Sequence, residues 1–365
     1  MERKKVVVAM SGGVDSSLTA ALLKERGFDV IGITMRLADE SRDSCDSDRS
    51  CCSLSSVEDA RRVAAVIDIP HYVINFKDMF KKYVIDYFLA DYAAGRTPNP
   101  CIACNRYVKF EGLLKKAMEF GAEYVATGHY ARIDRDDTGR YRLRKGLDGK
   151  KDQSYALYYL NQFSLSHFLM PLGDYTKEET RKLAEQCNLP VAHKPDSQEI
   201  CFVPHDDYRA YLRAYNPACL HPGDIVDQQG MVLGQHEGIP FYTIGQRKGL
   251  GLAMSAPLYV TDLDMVHNRV VVGSGEDVFA KELVASDLNW IAIDSLEKPI
   301  DVMAKIRYGK REAPATVHRH GERCVRVLFR EAQRAITPGQ SIVFYQGDSV
   351  LGGGIIERAE RKTHL

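Results

Sequence analysis

The first candidate for chemistry in this 365-residue chain is the run SGGVDSS at residues 11–17, called here the phosphate loop. An apolar, mostly β-branched run at residues 6–10 precedes it and predicts a buried strand, and a helical pattern ending near Gly27 follows it. Glycines at the start of a helix let backbone N–H groups converge on an anion, and the helix dipole favours negative charge there. Three serine hydroxyls add further donors. The run predicts a phosphate or pyrophosphate site, with a generic anion site or an ordinary glycine turn as the plainer alternatives.

The spacing of the phosphate loop separates it from two other phosphate-binding patterns. It lacks G-x-x-x-x-G-K-[ST], so no lysine of the loop itself is placed to reach a terminal phosphate, and it lacks the dinucleotide fingerprint. The run S-G-G-x-D-S instead resembles the PP-loop of ATP pyrophosphatases. That resemblance implies that ATP is the cofactor, that it is split into AMP and pyrophosphate, and that the AMP activates an oxygen.

Three cysteines are the next candidates for chemistry. Cys101 and Cys104 form a C-x-x-C pair, and Cys201 follows the run SQEI. A thiolate is nucleophilic and its disulfide is reversible, so one thiol could carry sulfur as a persulfide while another attacks it. A zinc half-site and buried inert thiols remain open as alternatives. The nine cysteines are an odd number in a chain without a recognisable secretion signal, which favours reduced thiols.

Alternating strands and helices must position these residues. Strands are predicted over residues 6–10, 30–35, 71–76, 123–127 and 155–160, helices over 56–67, 78–94, 110–120 and 176–187, and loops over 38–55 and 95–101. Ser56 is the expected cap of its helix. This order predicts an α/β fold with a doubly wound parallel sheet, whose ligands bind at the carboxyl ends of strands. The phosphate loop, Met35, Gly128 and His129 all follow strands, so we expect them at one edge.

The pattern changes near residue 212, where glycine-rich turns begin to separate short alternating strands. Such a pattern is typical of all-β structure. We therefore predict three domains: a PP-loop ATP-binding catalytic domain over residues 1–211, a small β-rich central domain over 212–277, and a C-terminal β-barrel over 278–365.

The overall charge is balanced, with 49 basic and 49 acidic residues, so no global field draws the chain to nucleic acid. Residues 305–334 are an exception, with nine Lys or Arg against three Glu and a net charge of +6. Such a cluster predicts an RNA footprint, although exposed strand faces also alternate charges. No apolar run approaches a membrane span, and the first residues lead into a strand rather than a signal peptide. We expect a cytoplasmic protein with no membrane partner.

Motifs spread along the whole chain carry a specific resemblance. They are SGGVDS, GRTPNPCxxCN, ATGHYAR, KDQSYAL, KPDSQEICF, YTIGQRKGLG, KIRYG and PGQ. Together they resemble the tRNA-specific 2-thiouridylase family, whose members have a PP-loop domain, a central β domain and a C-terminal β-barrel and make 2-thiouridine at the tRNA wobble position. The resemblance implies the same fold and activity here, with a C-terminal barrel that binds tRNA. It also implies the tRNA anticodon loop, not DNA, as partner, and a persulfide donor that is a cysteine desulfurase or a sulfur-relay protein.

The resemblance also assigns roles to single residues. Cys104 matches the family nucleophile, and Cys201 matches the cysteine that carries the persulfide. ATP phosphates are assigned to Ala9, Met10, Ser11, Gly12, Gly13, Val14, Asp15 and Ser16. Met35 and Gly128 are expected to frame the adenosine. Contacts with tRNA are assigned to Asn99, Pro100, Cys101, His129, Lys151, Asp152, Gln153, Arg307, Tyr308 and Gln340.

Cys101 departs from a common form of the family, which has aspartate at this position. Cys101, Cys104 and Cys201 could therefore hold three irons of a [4Fe–4S] cluster whose fourth iron binds sulfide, because related tRNA thiolases use such clusters with three cysteines. This metal site is an alternative to the persulfide. Mg²⁺ is the other expected cofactor, with Asp15 as a candidate partner.

Two other functions explain part of the sequence. A PP-loop amidotransferase or ligase that acts on a small metabolite through an adenylate would use SGGVDS but leave Cys104, Cys201 and the basic segment without a role. The second alternative is an RNA-binding protein that holds ATP only as a structural ligand, and retained tRNA modification in a cell carrying Cys201→Ala would favour it.

Overall fold

The computed structural model describes residues 3–37, 54–196 and 200–360. Most of the predicted loop at 38–55 therefore lies outside the described residues. The chain divides into two units. The first comprises the described residues up to Ile85 with Pro100–Asp207 and Asp348–Val350; the second comprises Asp86–Asn99, Tyr208–Gly347 and the residues from Leu351 onward.

A parallel sheet forms the centre of the first unit. The strands of this unit are β1 (Lys5–Ala9), β2 (Asp29–Arg36), β3 (His71–Asn75), β4 (Tyr124–Ala126), β5 (Ala131–Arg135), β6 (Tyr141–Lys145) and β7 (Phe168–Leu169). Five of them pair in the order β3-β2-β1-β4-β7, and every pair is parallel. β5 and β6 form an antiparallel hairpin. The predicted doubly wound parallel sheet is confirmed.

Helices connect these strands. The α-helices are α1 (Val14–Glu25), α2 (Leu54–Val66), α3 (Lys77–Phe80), α4 (Asp86–Ala93), α5 (Pro100–Ala103), α6 (Leu113–Glu119), α7 (Gln162–His167), α8 (Lys177–Gln186) and α9 (Tyr208–Tyr215). The wider π-helical geometry occurs at Lys81–Ile85 and Cys104–Gly112. Short 3₁₀ turns occur at Ser154–Leu157, Pro171–Asp174, Pro204–Asp206, Pro217–Cys219 and Ile239–Phe241. Among the described residues, no helix has both the length and the apolar character needed to cross a membrane.

Local signals explain which helix predictions succeeded. α8 begins as predicted after Thr176, whose side chain forms a capping box with Glu179. The capping role predicted for Ser56 is wrong, because α2 already begins at Leu54. The loop predicted over 95–101 ends early, because α5 begins at Pro100, and proline is well suited to a first helical position.

The strand predicted over residues 155–160 is also wrong. The Asp152 carboxylate accepts the N–H of Ser154 at 3.1 Å and its hydroxyl at 3.0 Å, which turns the chain into a 3₁₀ segment. Tyr155 and Tyr158 are fully buried there. Their aromatic side chains fill a core rather than line a strand, a difference that a short apolar run does not reveal.

The core of the first unit lies between the sheet and its helices. Its buried members include Val6, Val8, Met10, Leu18, Leu23, Val63, Ala126, Tyr130, Leu172 and Leu189. Both β1 and α1 contribute to this core, and this packing fixes the position of the phosphate loop between them.

The second unit contains two β structures. Its first sheet has the strands β8 (Gly223–Val226), β9 (Val232–His236), β10 (Tyr259–Asp264) and β11 (Arg269–Gly273), in the order β10-β11-β8-β9. Only the β11–β8 pair of these is parallel. This sheet is the predicted small central β structure.

The other β structure is a closed barrel. Its strands are β12 (Phe279–Trp290), β13 (Ile300–Lys305), β14 (Ala313–His320), β15 (Cys324–Arg334), β16 (Ser341–Gln346) and β17 (Ser349–Glu360). They pair in the order β12-β15-β14-β13-β16-β17, and β17 closes the ring on β12. On β15, Val325, Val327 and Phe329 are buried while Arg326 and Arg330 are exposed. The predicted C-terminal barrel is confirmed.

Candidate active site

The phosphate loop turns sharply between β1 and α1. Gly12 has a φ of +70°, and a Cβ on it would lie 2.1 Å from the carbonyl oxygen of Ser56. Both the left-handed backbone and this close approach to α2 require glycine. α2 therefore packs directly on the loop and holds it against the end of β1.

Serine hydroxyls form hydrogen bonds within the loop and stabilise its turn. Ser16 Oγ accepts the backbone N–H of Ser11 at 3.1 Å and lies 3.2 Å from the carbonyl oxygen of Gly13, to which it can donate. Ser17 Oγ donates to the same carbonyl at 2.8 Å. The N–H groups of the first turn of a helix have no intrahelical acceptor, so the N-terminus of α1 offers donors to an anion at this position.

The loop lies at the switch point of the sheet. The chain runs from β1 through β2 to β3 on one side and then crosses to β4 on the other. Ligands of open α/β sheets bind at the carboxyl ends of the strands beside such a point. Gly128 follows β4, and a Cβ on it would lie 2.8 Å from the backbone of Asp15 and Ser16. Met35 is half-buried near the carboxyl end of β2. The structure thus brings the loop, Met35 and Gly128 to one edge, as predicted.

The Asp15 carboxylate forms an ion pair with the ammonium group of Lys177 in this structure. Lys177 Nζ lies 2.7 Å and 2.8 Å from the two Asp15 carboxylate oxygens, and the Tyr130 hydroxyl donates to Oδ1 at 2.8 Å. Burial and the nearby Asp15 charge raise the pKa of Tyr130 well above its ordinary value, so its hydroxyl stays protonated as a donor. The carboxylate is a cation-binding group on the first turn of α1, which fits the candidate role beside Mg²⁺.

A second carboxylate, Asp196, shares the same lysine. Its Oδ1 is 2.8 Å from Lys177 Nζ, and it also pairs with Lys151 at 2.7 Å and Arg181 at 3.1 Å. Burial opposes ionisation of Asp196, but the Lys151 and Lys177 contacts outweigh burial and lower the pKa of its carboxyl. An ionised Asp196 therefore ties residues 194–196 to α8.

One more lysine reaches the loop itself. Lys194 Nζ lies 3.3 Å from the carbonyl oxygen of Gly12 and 2.7 Å from Asp59 of α2. Sequence reasoning gave no role to Lys177, Lys194 or Tyr130. Lys194 and Tyr130 lie inside the motifs KPDSQEICF and ATGHYAR, which could have pointed to them; no local signal marks Lys177.

The three candidate thiols differ in exposure. Cys104 is buried at the start of the π-helical turn, whereas Cys101 on α5 and Cys201 are exposed. Within residues 3–37, 54–196 and 200–360, no group of three or more His, Cys, Asp or Glu side chains is arranged to hold a metal ion. In this structure the three thiols do not fit the ligand set of an iron–sulfur cluster.

Packing on α3 places the segments that carry Cys104 and Cys201. Phe202, next to Cys201, makes an edge-to-face contact with Phe80 of α3, with ring centroids 5.7 Å apart. A Cβ on Gly112, at the end of the π-helical turn, would lie 3.0 Å from Met79 of α3. Both segments therefore pack against the same short helix.

The residues after Cys104 are fixed by polar and aromatic contacts. Asn105 is buried and its amide donates to the carbonyl oxygen of Ala156 at 3.0 Å. The Arg106 guanidinium lies 4.1 Å from the ring centroid of Tyr159 and 4.9 Å from that of Tyr107. The contacts with Ala156 and Tyr159 hold the π-helical turn against residues 156–159.

His129 is a neutral imidazole that packs beside the π-helical turn. Its Nδ1 lies 2.8 Å from Thr127 Oγ1, and its ring lies 5.8 Å from that of Phe110. Burial, with the Lys109 charge nearby, lowers the pKa of His129 to about 3. Any contact that His129 makes with RNA near neutral pH therefore uses an uncharged ring.

This shift predicts a pH dependence of stability. The unfolded chain protonates His129 near its ordinary pKa while the folded chain does not, so the unfolded state binds more protons and stability falls as the pH drops through 6.5. We expect His129 alone to cost up to about 2 kcal/mol between pH 7 and pH 5. Urea unfolding at both pH values should show a smaller pH effect for His129→Asn than for the wild type. His221→Asn, at an exposed histidine, is the control; an unchanged pH effect in His129→Asn would contradict the prediction.

The predicted tRNA contacts of the first unit already have structural partners. Lys151 pairs with Asp196, and the Gln153 side-chain oxygen accepts the N–H of Tyr130 at 2.9 Å. Asp152 closes the turn described above. These side chains shape the surface near the loop, so any contact with RNA has to be compatible with these bonds.

In the second unit, Gln340 forms hydrogen bonds with the backbone that precedes Asn99. Its amide donates to the carbonyl oxygens of Thr97 and Pro98 at 2.9 Å and 3.2 Å, immediately before Asn99. Arg307 donates to the Thr337 hydroxyl. Tyr308 is 47% exposed, and the Lys305 ammonium lies 5.5 Å from its ring centroid. An exposed aromatic ring beside cations suits RNA stacking.

The geometry defines the class of the protein. A glycine and serine loop without a Walker lysine, at the switch point of a parallel sheet, is the nucleotide site of a PP-loop enzyme that uses ATP. Family models match the chain in three parts: a tRNA methyl transferase HUP domain over residues 4–205, a tRNA methyl transferase PRC-barrel domain over 209–274, and an aminomethyltransferase beta-barrel domain over 280–356.

Full-length relatives show the family. The chain is 54% identical to a tRNA-specific 2-thiouridylase MnmA of Clostridioides difficile, covering 98% of this chain and 99% of that one. It is 54% identical to the MnmA of Carboxydothermus hydrogenoformans, covering 98% of each, and 55% identical to that of Clostridium perfringens, covering 98% and 99%. The chain belongs to the tRNA-specific 2-thiouridylase (MnmA) family.

Proposed function

We propose that the chain is a tRNA-uridine 2-sulfurtransferase that uses ATP to replace the C2 oxygen of the wobble uridine by sulfur. The observation that carries the proposal is that one unit holds both the phosphate loop and the segments bearing Cys104 and Cys201. An enzyme that only adenylates its substrate needs the first of these features, whereas sulfur transfer needs both.

In the first step, the C2 oxygen of uracil attacks the α-phosphorus of ATP and pyrophosphate leaves. The oxygen is then part of an adenylate, which is a far better leaving group. The protein has little covalent work to do here and acts by placing donors around the departing charge. The N-terminus of α1, with Ser11, Gly13 and Ser16, supplies these donors; Met35 and Gly128 frame the adenosine.

In the second step, the terminal sulfur of a persulfide on Cys201 attacks C2, and AMP leaves with the former C2 oxygen. The Cys104 thiolate then attacks Cys201 Sγ. The bond between Sγ and the transferred sulfur breaks, its electron pair stays on that sulfur, and the thiocarbonyl forms. A Cys104–Cys201 disulfide remains, and an external dithiol reduces it for the next cycle.

The exposure of the two thiols suits these roles. Cys201 is exposed, so a protein donor such as a cysteine desulfurase or a sulfur-relay protein can load it. Cys104 is buried, so it is shielded from oxidants and from the donor until substrate and persulfide come together. The difference in solvent exposure therefore separates the loading of sulfur onto Cys201 from the release of that sulfur by Cys104.

The cofactors are ATP and Mg²⁺. Mg²⁺ takes one or two protein carboxylates together with phosphates and water, and Asp15 is the carboxylate of the loop that fits this role. The ion would neutralise phosphate charge. The persulfide route needs two thiols and no cluster.

The tRNA partner presents an unstacked base, because C2 is inaccessible inside a duplex; this favours the anticodon loop and excludes DNA duplexes. We assign its contacts to Asn99, Pro100, Cys101, His129, Lys151, Asp152, Gln153, Arg307, Tyr308 and Gln340. We keep the domain boundaries at 211/212 and 277/278, with the catalytic domain first and tRNA binding in the barrel, and we place the enzyme in the cytoplasm.

Mass spectrometry of nucleosides tests the proposal. tRNA incubated with the chain, ATP, Mg²⁺ and a persulfide donor should gain 2-thiouridine, and omission of ATP should prevent this. No oxygen-to-sulfur exchange in an anaerobic reaction would contradict the proposal. Exchange of ATP with pyrophosphate that requires a small acid and ignores tRNA would favour the amidotransferase or ligase alternative.

A further inference from the structure

The phosphate loop has no lysine of its own, yet two ammonium groups from distant parts of the chain contact it. Lys177 comes from the start of α8 and contacts Asp15 on the first turn of α1. Lys194 comes from the KPDS segment and contacts the Gly12 carbonyl oxygen. The two lysines therefore flank the N-terminus at which phosphate is expected.

Both lysines are placed in advance by other side chains. The capping box at Thr176 fixes the first turn of α8, where Lys177 lies with its side chain only 13% exposed. Arg181, one turn further along, donates to the carbonyl oxygens of Ala192 and Lys194 at 2.9 Å and 3.1 Å. α8 thus carries one lysine directly and anchors the backbone of the other.

The charges around the loop favour an added anion. Lys151, Lys177, Arg181 and Lys194 face three carboxylates, which are Asp15, Asp59 and Asp196. Asp196 alone contacts three of these cations. A lysine ammonium on a flexible stem can leave a carboxylate for a more highly charged phosphate through a change of rotamer.

We propose that Lys177 and Lys194 bind the β- and γ-phosphates of ATP and then the departing pyrophosphate. This inference rests on the proposed use of ATP and extends it to residues outside the loop. The two ammonium groups supply the positive charge that a Walker lysine supplies elsewhere, and they do so at the bond that breaks. They differ from the loop donors in touching only the part of the nucleotide that leaves.

Binding of pyrophosphate and of AMP separates this role from a structural one. Isothermal titration calorimetry on the full chain should show roughly 10- to 100-fold weaker pyrophosphate binding for Lys177→Met and for Lys194→Met, because each loses a charged hydrogen bond. AMP affinity should stay within about twofold of the wild type, since AMP lacks the β- and γ-phosphates. Equal weakening of both ligands, or wild-type pyrophosphate affinity in both variants, would overturn the inference.

Lys182→Met is the matched control, because Lys182 lies on α8 but pairs with Glu178 of its own helix. A further variant, Asp196→Asn, changes the sign of the expected effect. It removes an anion that competes for Lys177, so pyrophosphate should bind more tightly if Lys177 is a phosphate ligand; weaker binding would count against the inference. Failure of the wild-type chain to bind ATP would instead contradict the proposed function itself.

Discussion

A Cys104→Ser chain should consume ATP in the presence of tRNA and accept sulfur on Cys201, yet form 2-thiouridine at least about 10³-fold more slowly than the wild type. Serine is too weak a nucleophile to attack the Cys201 sulfur, so the persulfide cannot be resolved. Three measurements on one reaction check this: pyrophosphate release, the mass of the Cys201 peptide, and 2-thiouridine in digested tRNA. We expect pyrophosphate release and a Cys201 peptide that carries extra sulfur, but no 2-thiouridine.

The Cys201→Ser chain should differ in one respect. It also forms no 2-thiouridine, but no extra sulfur appears at position 201, because the carrier thiol itself is missing. Cys324→Ser, at a half-buried barrel thiol, should behave as the wild type. Rapid thiolation by Cys104→Ser would show that Cys104 is not the nucleophile that attacks the Cys201 persulfide.

Cys101 distinguishes the persulfide from the iron–sulfur alternative. Cys101→Asp removes the third thiol and should keep thiolation within a few-fold of the wild type if two thiols suffice. If Cys101 ligated a cluster, the same variant would lose the iron and the activity together. Anaerobic reconstitution, iron analysis and a visible spectrum of the wild type and of this variant decide between the two.

Local patterns allowed much of the fold to be predicted. The buried strand over β1, the glycine loop after it and the capping box at Thr176 are each encoded within a few residues. The strand predicted over 155–160 failed because aromatic residues fit a buried 3₁₀ turn as well as a strand. A single nearby carboxylate, Asp152, decided between the two structures.

The lysines of the candidate site show why the rest could not be predicted. Lys177 lies 162 positions from Asp15, and Lys194 lies 182 positions from Gly12. No spacing rule spans such separations, because the packing of α1, α2 and α8 on the sheet determines which side chains meet. The sequence predicts the part of the site that follows β1, whereas tertiary contacts determine the surrounding charge.

Gly12→Ala should have the largest effect of any single change in the loop. Alanine at a φ of +70° costs about 1–3 kcal/mol, and its Cβ would overlap the Ser56 carbonyl oxygen, which is backbone and cannot rotate away. We expect the melting temperature of the chain to fall by roughly 5–10 °C and ATP binding to be lost, because α2 must shift. Differential scanning calorimetry and nucleotide titration measure the two effects.

Gly149→Ala is the matched control, because a Cβ on Gly149 meets nothing within 4 Å and its φ lies outside the left-handed region. It should leave both stability and ATP binding unchanged. The comparison with the lysine variants is informative, since Gly12→Ala should weaken AMP and pyrophosphate together, whereas Lys177→Met and Lys194→Met should weaken pyrophosphate alone. A stable Gly12→Ala chain that binds ATP normally would show that the loop does not depend on its packing against α2.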